Sequence, residues 1–204
     1  MTTTGFLSRP ELSTEVQHLL DADVAEVGHP MNASWLWAHD PDAHDRLFGL
    51  LTGTATALGL DVRQRGILIT ACASTLGDSY CSLAWGTKLA GASDEATAGA
   101  VLRGTDEGLS GRERAMAGWA RAVARDPNRT TPQDVQALRD VGFTDAEIFA
   151  LTVFVALRLA FSTVNDALGV PPDAQYRTAA PRAVLEAVTF GRPTEPWPAD
   201  TVPE

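Results

Sequence analysis

The sequence predicts an all-α fold, a single unit over residues 1–204 built as a multi-helix bundle. Three observations lead there. Strand signals are poor, with no sustained apolar/polar alternation and no Asn-Gly or Asp-Gly hairpin turn. Helix punctuation is frequent: Asp40-Pro41 and Thr131-Pro132 each put a capping side chain ahead of a proline at the first helical position. Ser110 with Glu113, and Thr144 with Glu147, form capping boxes in which hydroxyl and carboxylate each accept from a free amide. Apolar residues also recur at helical rather than alternating spacing.

Taken in order, the first helix is expected near 11–26, with Leu12, Val16, Leu19 and Leu20 on one face. A short helix near 31–39 follows, then one over 41–59 opened by Asp40-Pro41. The next, 62–77, ends at Gly77, which suits a left-handed stop; Asp78 then caps a helix over 79–90. Ser93-Asp94-Glu95 opens 94–103 and places negative charge at the positive end of the helix dipole. The polar stretch Gly104 to Ser110 reads as a connector between halves, before helices at 111–126, 132–141 and 145–168. In the last of these Phe149, Val153, Ala156, Ala160 and Val164 share one side, and Leu151, Val155, Arg158 and Ser162 another. A helix apolar over most of its girth is central in a core or shared with a partner. Gly169-Val170-Pro171-Pro172 stops it, a final helix is expected near 180–190, and a proline-rich tail over 192–204 is expected to be extended.

Composition narrows the function classes. A chain of 204 residues, 45% of them apolar, buries a sizeable core as one unit or as two similar halves. With 16 basic and 26 acidic residues the net charge is -10, so neither nucleic acid nor an anionic membrane is an expected partner. The longest apolar run, Ile148 to Phe161, falls short of the ~20 residues of a membrane span and carries Arg158. The opening residues show no basic segment followed by an apolar run, so a cytoplasmic location with reduced thiols is expected. Two cysteines, Cys72 and Cys81, exclude a disulfide framework and an all-cysteine metal site. His39 and His44 lack reliable ligand spacing, and no metal or other cofactor is expected.

The chemistry concentrates in Gly77-Asp-Ser-Tyr-Cys-Ser-Leu-Ala-Trp-Gly86. Cys81 falls in the first turn of its helix, where amides favour a thiolate, while Asp78 three residues earlier disfavours one. Asp78 reads either as a general base or as a plain cap worth about 1 kcal/mol. The hydroxyls of Ser79 and Tyr80 could orient a bound oxygen or simply solvate the helix start. Trp85 could wall a pocket or stack on a flat ligand. Trp35, Trp37, His39 and His44 cluster nearby, with Trp35 and His39 on one helical face, as a pocket cover or as aromatic packing. Arg158 needs a carboxylate or a ligand anion if it is buried, and Cys72 reads as core.

This run resembles the core of the carboxymuconolactone decarboxylase/alkylhydroperoxidase D (AhpD-like) family, most of all its peroxidase-related members. The redox members carry Cys-x-x-Cys at a helix start, a histidine four residues after the second cysteine and a glutamate on the preceding helix. Cys81 matches the second cysteine, Asp78 stands in place of the first, Trp85 replaces the histidine, and Gly66 lies about where the glutamate is expected. Leu109 to Ala115, Thr131 to Gly142, Val164 to Gly169 and Phe190 to Pro193 resemble the family's second half, so the likeness spans roughly 10–193.

The resemblance implies a helical bundle of two related halves in a homo-oligomer, a dimer, trimer or hexamer. It implies an antioxidant, peroxidase-like oxidoreductase in which hydroperoxide oxidises Cys81 alone and an external thiol resolves the sulfenate. The family's decarboxylase branch works without the cysteine pair. That leaves lyase, decarboxylase or isomerase action on a small cyclic organic compound, with Asp78 as base and Tyr80 as donor, and also a ligand-binding protein without catalysis. The candidate catalytic residues are Cys81 and Asp78. The candidate substrate-binding residues are Ser79, Tyr80, Trp85, Trp37, His39 and Asn165, the last matching a polar position of related proteins.

Overall fold

A computed structural model describes residues 3–196. Its helices, in chain order, are α1 (Thr14–Val27), α2 (Asn32–Trp37), α3 (Pro41–Ala57), α4 (Val62–Leu76), α5 (Ser79–Ala92) and α6 (Glu95–Arg103). They continue as α7 (Gly111–Arg125), α8 (Pro132–Asp140), α9 (Asp145–Ala167), α10 (Tyr176–Ala179) and α11 (Arg182–Ala187). The expected caps form: side chains of Asp40, Asp78, Asp94, Ser110, Thr131 and Thr144 each accept from an amide three residues on. A further capping box, Asp61 with Gln64, opens α4.

Four details depart from the sequence expectation. α1 begins at Thr14 because Ser13 is the cap, so Leu12 lies outside the helix and is 64% exposed. The helix expected near 180–190 is the shorter α11, and a one-turn α10 not expected from the sequence precedes it, separated from α11 by the extended Ala180 and Pro181. A two-residue ribbon, β1 (Thr3–Thr4) against β2 (Leu7–Ser8), is too short to leave a period-2 pattern. It turns at Gly5, where φ is 59° and any Cβ would lie 2.3 Å from the Leu168 carbonyl oxygen. Lastly, α9 runs for 23 residues and is long and apolar enough to cross a membrane, by length and composition. Here it packs against α3, α4, α7 and α8. Its Leu151/Val155 side is buried, while Phe149 on the other side is 71% exposed.

α4 is the central element. It packs against α5, α6, α7 and α9, and its Ile67, Leu68, Ala71 and Cys72 are fully enclosed. Gly66 lets α5 approach closely, because a Cβ there would meet the Leu89 side chain at 3.1 Å. Gly66, which lies about where the resemblance leads one to expect a glutamate, thus serves helix contact. The connector between α6 and α7 is fixed by Arg121, which forks onto both oxygens of Asp106 at 2.7 Å and reaches the Val101 carbonyl at 3.0 Å. The start of the tail is tied down as well: Glu195 N donates to the Pro172 carbonyl at 2.8 Å. The expectation of an extended tail over 197–204 lies outside the described residues.

Asp166 sits in the last turn of α9, where helix carbonyls disfavour negative charge. Burial, and then the Asp78 carboxylate, push its carboxyl up to about 6. A raised native value favours the protonated acid. The stability it contributes is full below the ordinary aspartate range and is lost as pH rises through about 6. Asp166→Asn should therefore melt above the parent at pH 8, with the gap closing by pH 4. Melting curves with the same gap at both pH values contradict this.

Candidate functional site

Gly77, at φ 79°, ends α4 in the left-handed region and turns the chain back on itself. Asp78 N donates to the Ala73 carbonyl at 3.0 Å, and Asp78 Oδ1 accepts from Cys81 N at 2.9 Å. That bond seats Cys81 in the first turn of α5, 1% exposed. From the opposite side α9 delivers two groups one turn apart. Arg158 Nη2 donates to Cys81 Sγ at 3.4 Å, and Ser162 Oγ lies 3.7 Å from the same sulfur.

Arg158 is 4% exposed, and no carboxylate pairs with it among the described residues. Its Nε is buried without a partner, and so is Asp78 Oδ2. The thiol therefore lies beside a buried guanidinium, with a fully buried carboxylate capping its own helix turn. Burial does most to push the Cys81 thiol well above its ordinary range, and Asp78 adds to this; Arg158 and Ser162 pull the other way. The sequence sets first-turn amides against a carboxylate, whereas the largest cause in the folded chain is burial. Cys72 is core, as expected, and burial pushes it up to about 12.

Cys81 opens onto a cavity of about 80 Å³ walled by Ala33, Trp37, Tyr80, Ala84, Trp85 and Phe161. Trp37 stacks on Phe161, with centroids 5.4 Å apart at 12°, and Phe48 meets Phe161 edge-on at 5.2 Å. The fully buried Asn165 fixes the tryptophan, since Trp37 Nε1 donates to Asn165 Oδ1 at 2.9 Å. Tyr80 contributes its ring alone. Its hydroxyl donates to Asp173 Oδ2 at 2.8 Å and accepts from Ala33 N at 3.3 Å, so it is not free to serve a ligand as donor. Burial and the Asp173 carboxylate also push that phenol well above its ordinary range.

Two expected site residues lie elsewhere. Ser79 Oγ donates to the Arg192 carbonyl at 2.7 Å and lines a separate cleft with Phe190 and Arg192. His39 lines a cleft with Glu11, Ser13 and Asp40. Its shared face with Trp35 required a helix running to residue 39, but α2 ends at Trp37. Trp35 packs instead beside α1, under Arg9 at 4.4 Å. His44, from α3, borders the cavity and meets Phe48 with ring centroids 4.4 Å apart at a 30° tilt. Arg158 and Ser162 were missed as partners of Cys81. An arginine in an apolar helix was the one visible signal, and the sequence does not say what it faces.

A wider cleft of about 550 Å³, lined by Arg125, Asp126, Arg129 and Asp134 among others, holds no nucleophilic thiol. Among the described residues no three His, Cys, Asp or Glu side chains converge as metal ligands would.

No protein-family model and no curated protein matches this sequence. Solved structures do. The crystal structure of an alkylhydroperoxidase AhpD core, an uncharacterized peroxidase-related protein from Ralstonia eutropha JMP134, superposes with a TM-score of 0.73 at 22% identity. The match covers 86% of this chain and 96% of that one. An uncharacterized peroxidase-related protein from Silicibacter sp. TM1040 gives 0.71 at 20% identity, over 87% of this chain and 96% of that one. A cysteine-to-alanine variant of the debrominase Bmp8, in complex with 2,3,4-tribromopyrrole, gives 0.71 at 16% identity, over 92% and 98%. Over 86–87% of its length this chain has the AhpD-core fold of these structures.

Proposed function

We propose that this chain is a peroxidase-like thiol oxidoreductase that works with Cys81 as its single reacting group. The observation that carries this is the position of the sulfur: it faces an aromatic cavity while touching a guanidinium that pairs with no carboxylate among the described residues. Moving the thiol proton to Asp78 Oδ2 converts a carboxylate, a thiol and a cation into an acid, a thiolate and the same cation. The number of buried charges does not change, so the step avoids the cost of creating a new one. The thiolate then attacks the distal oxygen of a hydroperoxide. The S–O bond forms, the O–O bond breaks, and the leaving alkoxide takes the proton from Asp78. An external thiol condenses with the sulfenic acid, releasing water and leaving a mixed disulfide. A second thiol frees Cys81 and departs as the oxidised disulfide.

A second substrate class has its own support. Trp37, Phe161 and Trp85 suit a small flat ring, and Bmp8, of the same fold, holds 2,3,4-tribromopyrrole. A small cyclic organic compound met by the same thiolate, or deprotonated by Asp78, is the alternative to a hydroperoxide. The exposed side of α9, with Phe149, Ala156 and Ala160, supports assembly as a homo-oligomer.

Cys81→Ser should abolish thiol-dependent hydroperoxide consumption; a serine variant that still turns over sinks the proposal. Asp78→Asn keeps a side chain able to cap α5 and should still slow turnover by about 100-fold or more. Unchanged turnover removes Asp78 from the chemistry. Arg158→Gln takes away the cation that favours the thiolate. Alkylation of Cys81 by iodoacetamide should become slower, and its rise with pH should move to higher pH. A pH profile identical to the parent's would show that the guanidinium does not act on the sulfur.

A further inference from the structure

Behind Trp85, away from Cys81, lies a second small cavity of about 60 Å³. Leu51, Ala55, Ile69 and Phe154 give it apolar walls, and two arginines, Arg65 and Arg158, enter it. Arg158 and Trp85 border both cavities. The Nε of Arg65 is buried without a hydrogen-bond partner, as is the Nε of Arg158. Neither side chain pairs with a carboxylate among the described residues. Acidic residues outnumber basic ones 26 to 16, and other arginines find one: Arg63, on the same helix as Arg65, meets Glu113 at 2.6 Å, and Arg121 meets Asp106 at 2.7 Å.

Arg65 is half-buried and Arg158 buried, the latter over the Phe161 ring at 4.9 Å; two like charges around an apolar recess, each with an unfilled buried Nε, still leave a place that an anion would stabilise. A guanidinium fork matches a planar carboxylate, and two forks match it on both edges. The recess is about twice the ~30 Å³ share of one liquid water, room for a head group and a short apolar stub. We propose that Arg65 and Arg158 form a binding site for a small free monocarboxylate, its apolar end against Leu51, Ala55, Ile69 and Phe154. Binding at this site needs no turnover, although the site shares Arg158 with the thiol chemistry proposed above. Because Arg158 also donates to Cys81 Sγ, the bound anion and the thiolate compete for one cation. By linkage each weakens the other.

The probe is sodium acetate, exchanged for sodium chloride at constant ionic strength so that screening stays fixed. In Cys81→Ser the melting temperature should rise with the logarithm of acetate above a saturating threshold. The Nε–Hε resonances of Arg65 and Arg158 should shift together with the same midpoint. In the parent protein, saturating acetate should slow Cys81 alkylation by roughly five-fold or more. Arg65→Met should lose the saturable effects, and Arg65→Lys, which keeps the charge without the fork, should shift their midpoint to higher acetate. Arg65→Met removes a cation without a carboxylate partner and should melt in chloride no lower than the parent. The proposal is overturned if acetate gives no saturation, or if Arg65→Met responds as the parent does. It is equally overturned if Arg65→Met lowers the particle mass while acetate has no effect, since a second copy's carboxylate then fills the site.

Discussion

The hydrogen bond from Cys81 N to Asp78 Oδ1, 2.9 Å long and buried, holds the site together. It satisfies an amide that α5 cannot satisfy internally, at a helix start with no access to water. It also fixes where the first turn of α5 begins, and hence where the sulfur points. The reversal at Gly77 runs α4 and α5 side by side, and their close approach depends on Gly66 facing Leu89. Moving the helix start by one residue would rotate Cys81 by about 100° around the helix and away from Arg158.

The same bond places a carboxylate where charge is costly. Asp78 is fully enclosed, and Arg158 from α9 is enclosed nearly as completely. The two do not form an ion pair, and the thiol lies in the neighbourhood of both. Such a buried arrangement adds little to stability, because the cost of taking the charges out of water offsets much of what their contacts return. The raised thiol of Cys81 follows from this: burial dominates, and the Arg158 cation works against it. The charge on Arg158 therefore links the two cavities that it borders.

The cavity wall is held by bonds that span the chain. Met31, which precedes α2, offers no capping side chain. The free amides at that helix start are met from afar instead: Asn32 N by Asp173 Oδ1 at 2.7 Å, and Ala33 N by the Tyr80 hydroxyl at 3.3 Å. This network takes up the Tyr80 hydroxyl, so the ring can line the cavity while its oxygen does structural work. Asn165 holds Trp37 in the same way, 128 residues apart in sequence. Residues that read as candidate ligand contacts, Tyr80 and Asn165, thus serve to position the wall.

By itself the sequence determined the helices, because caps, prolines and apolar spacing act over three or four residues. Asp40-Pro41, Ser110 with Glu113, and the Gly77-Asp78 stop and start are legible for that reason, and the last of these puts Cys81 in a first turn. The likeness of the surrounding run to AhpD-like proteins pointed to the fold that the solved structures share. Tertiary structure decided the rest. Whether Asp78 and Cys81 are buried, and so which way the thiol shifts, depends on α9 covering them. That Arg158 meets the sulfur is a contact across 77 residues, which no local period encodes. His39 lies outside the site because α2 stops at Trp37, whereas His44, on α3, borders the cavity. Local hydrogen bonding writes itself into neighbouring residues, whereas burial and long-range charge exist only once the helices have packed.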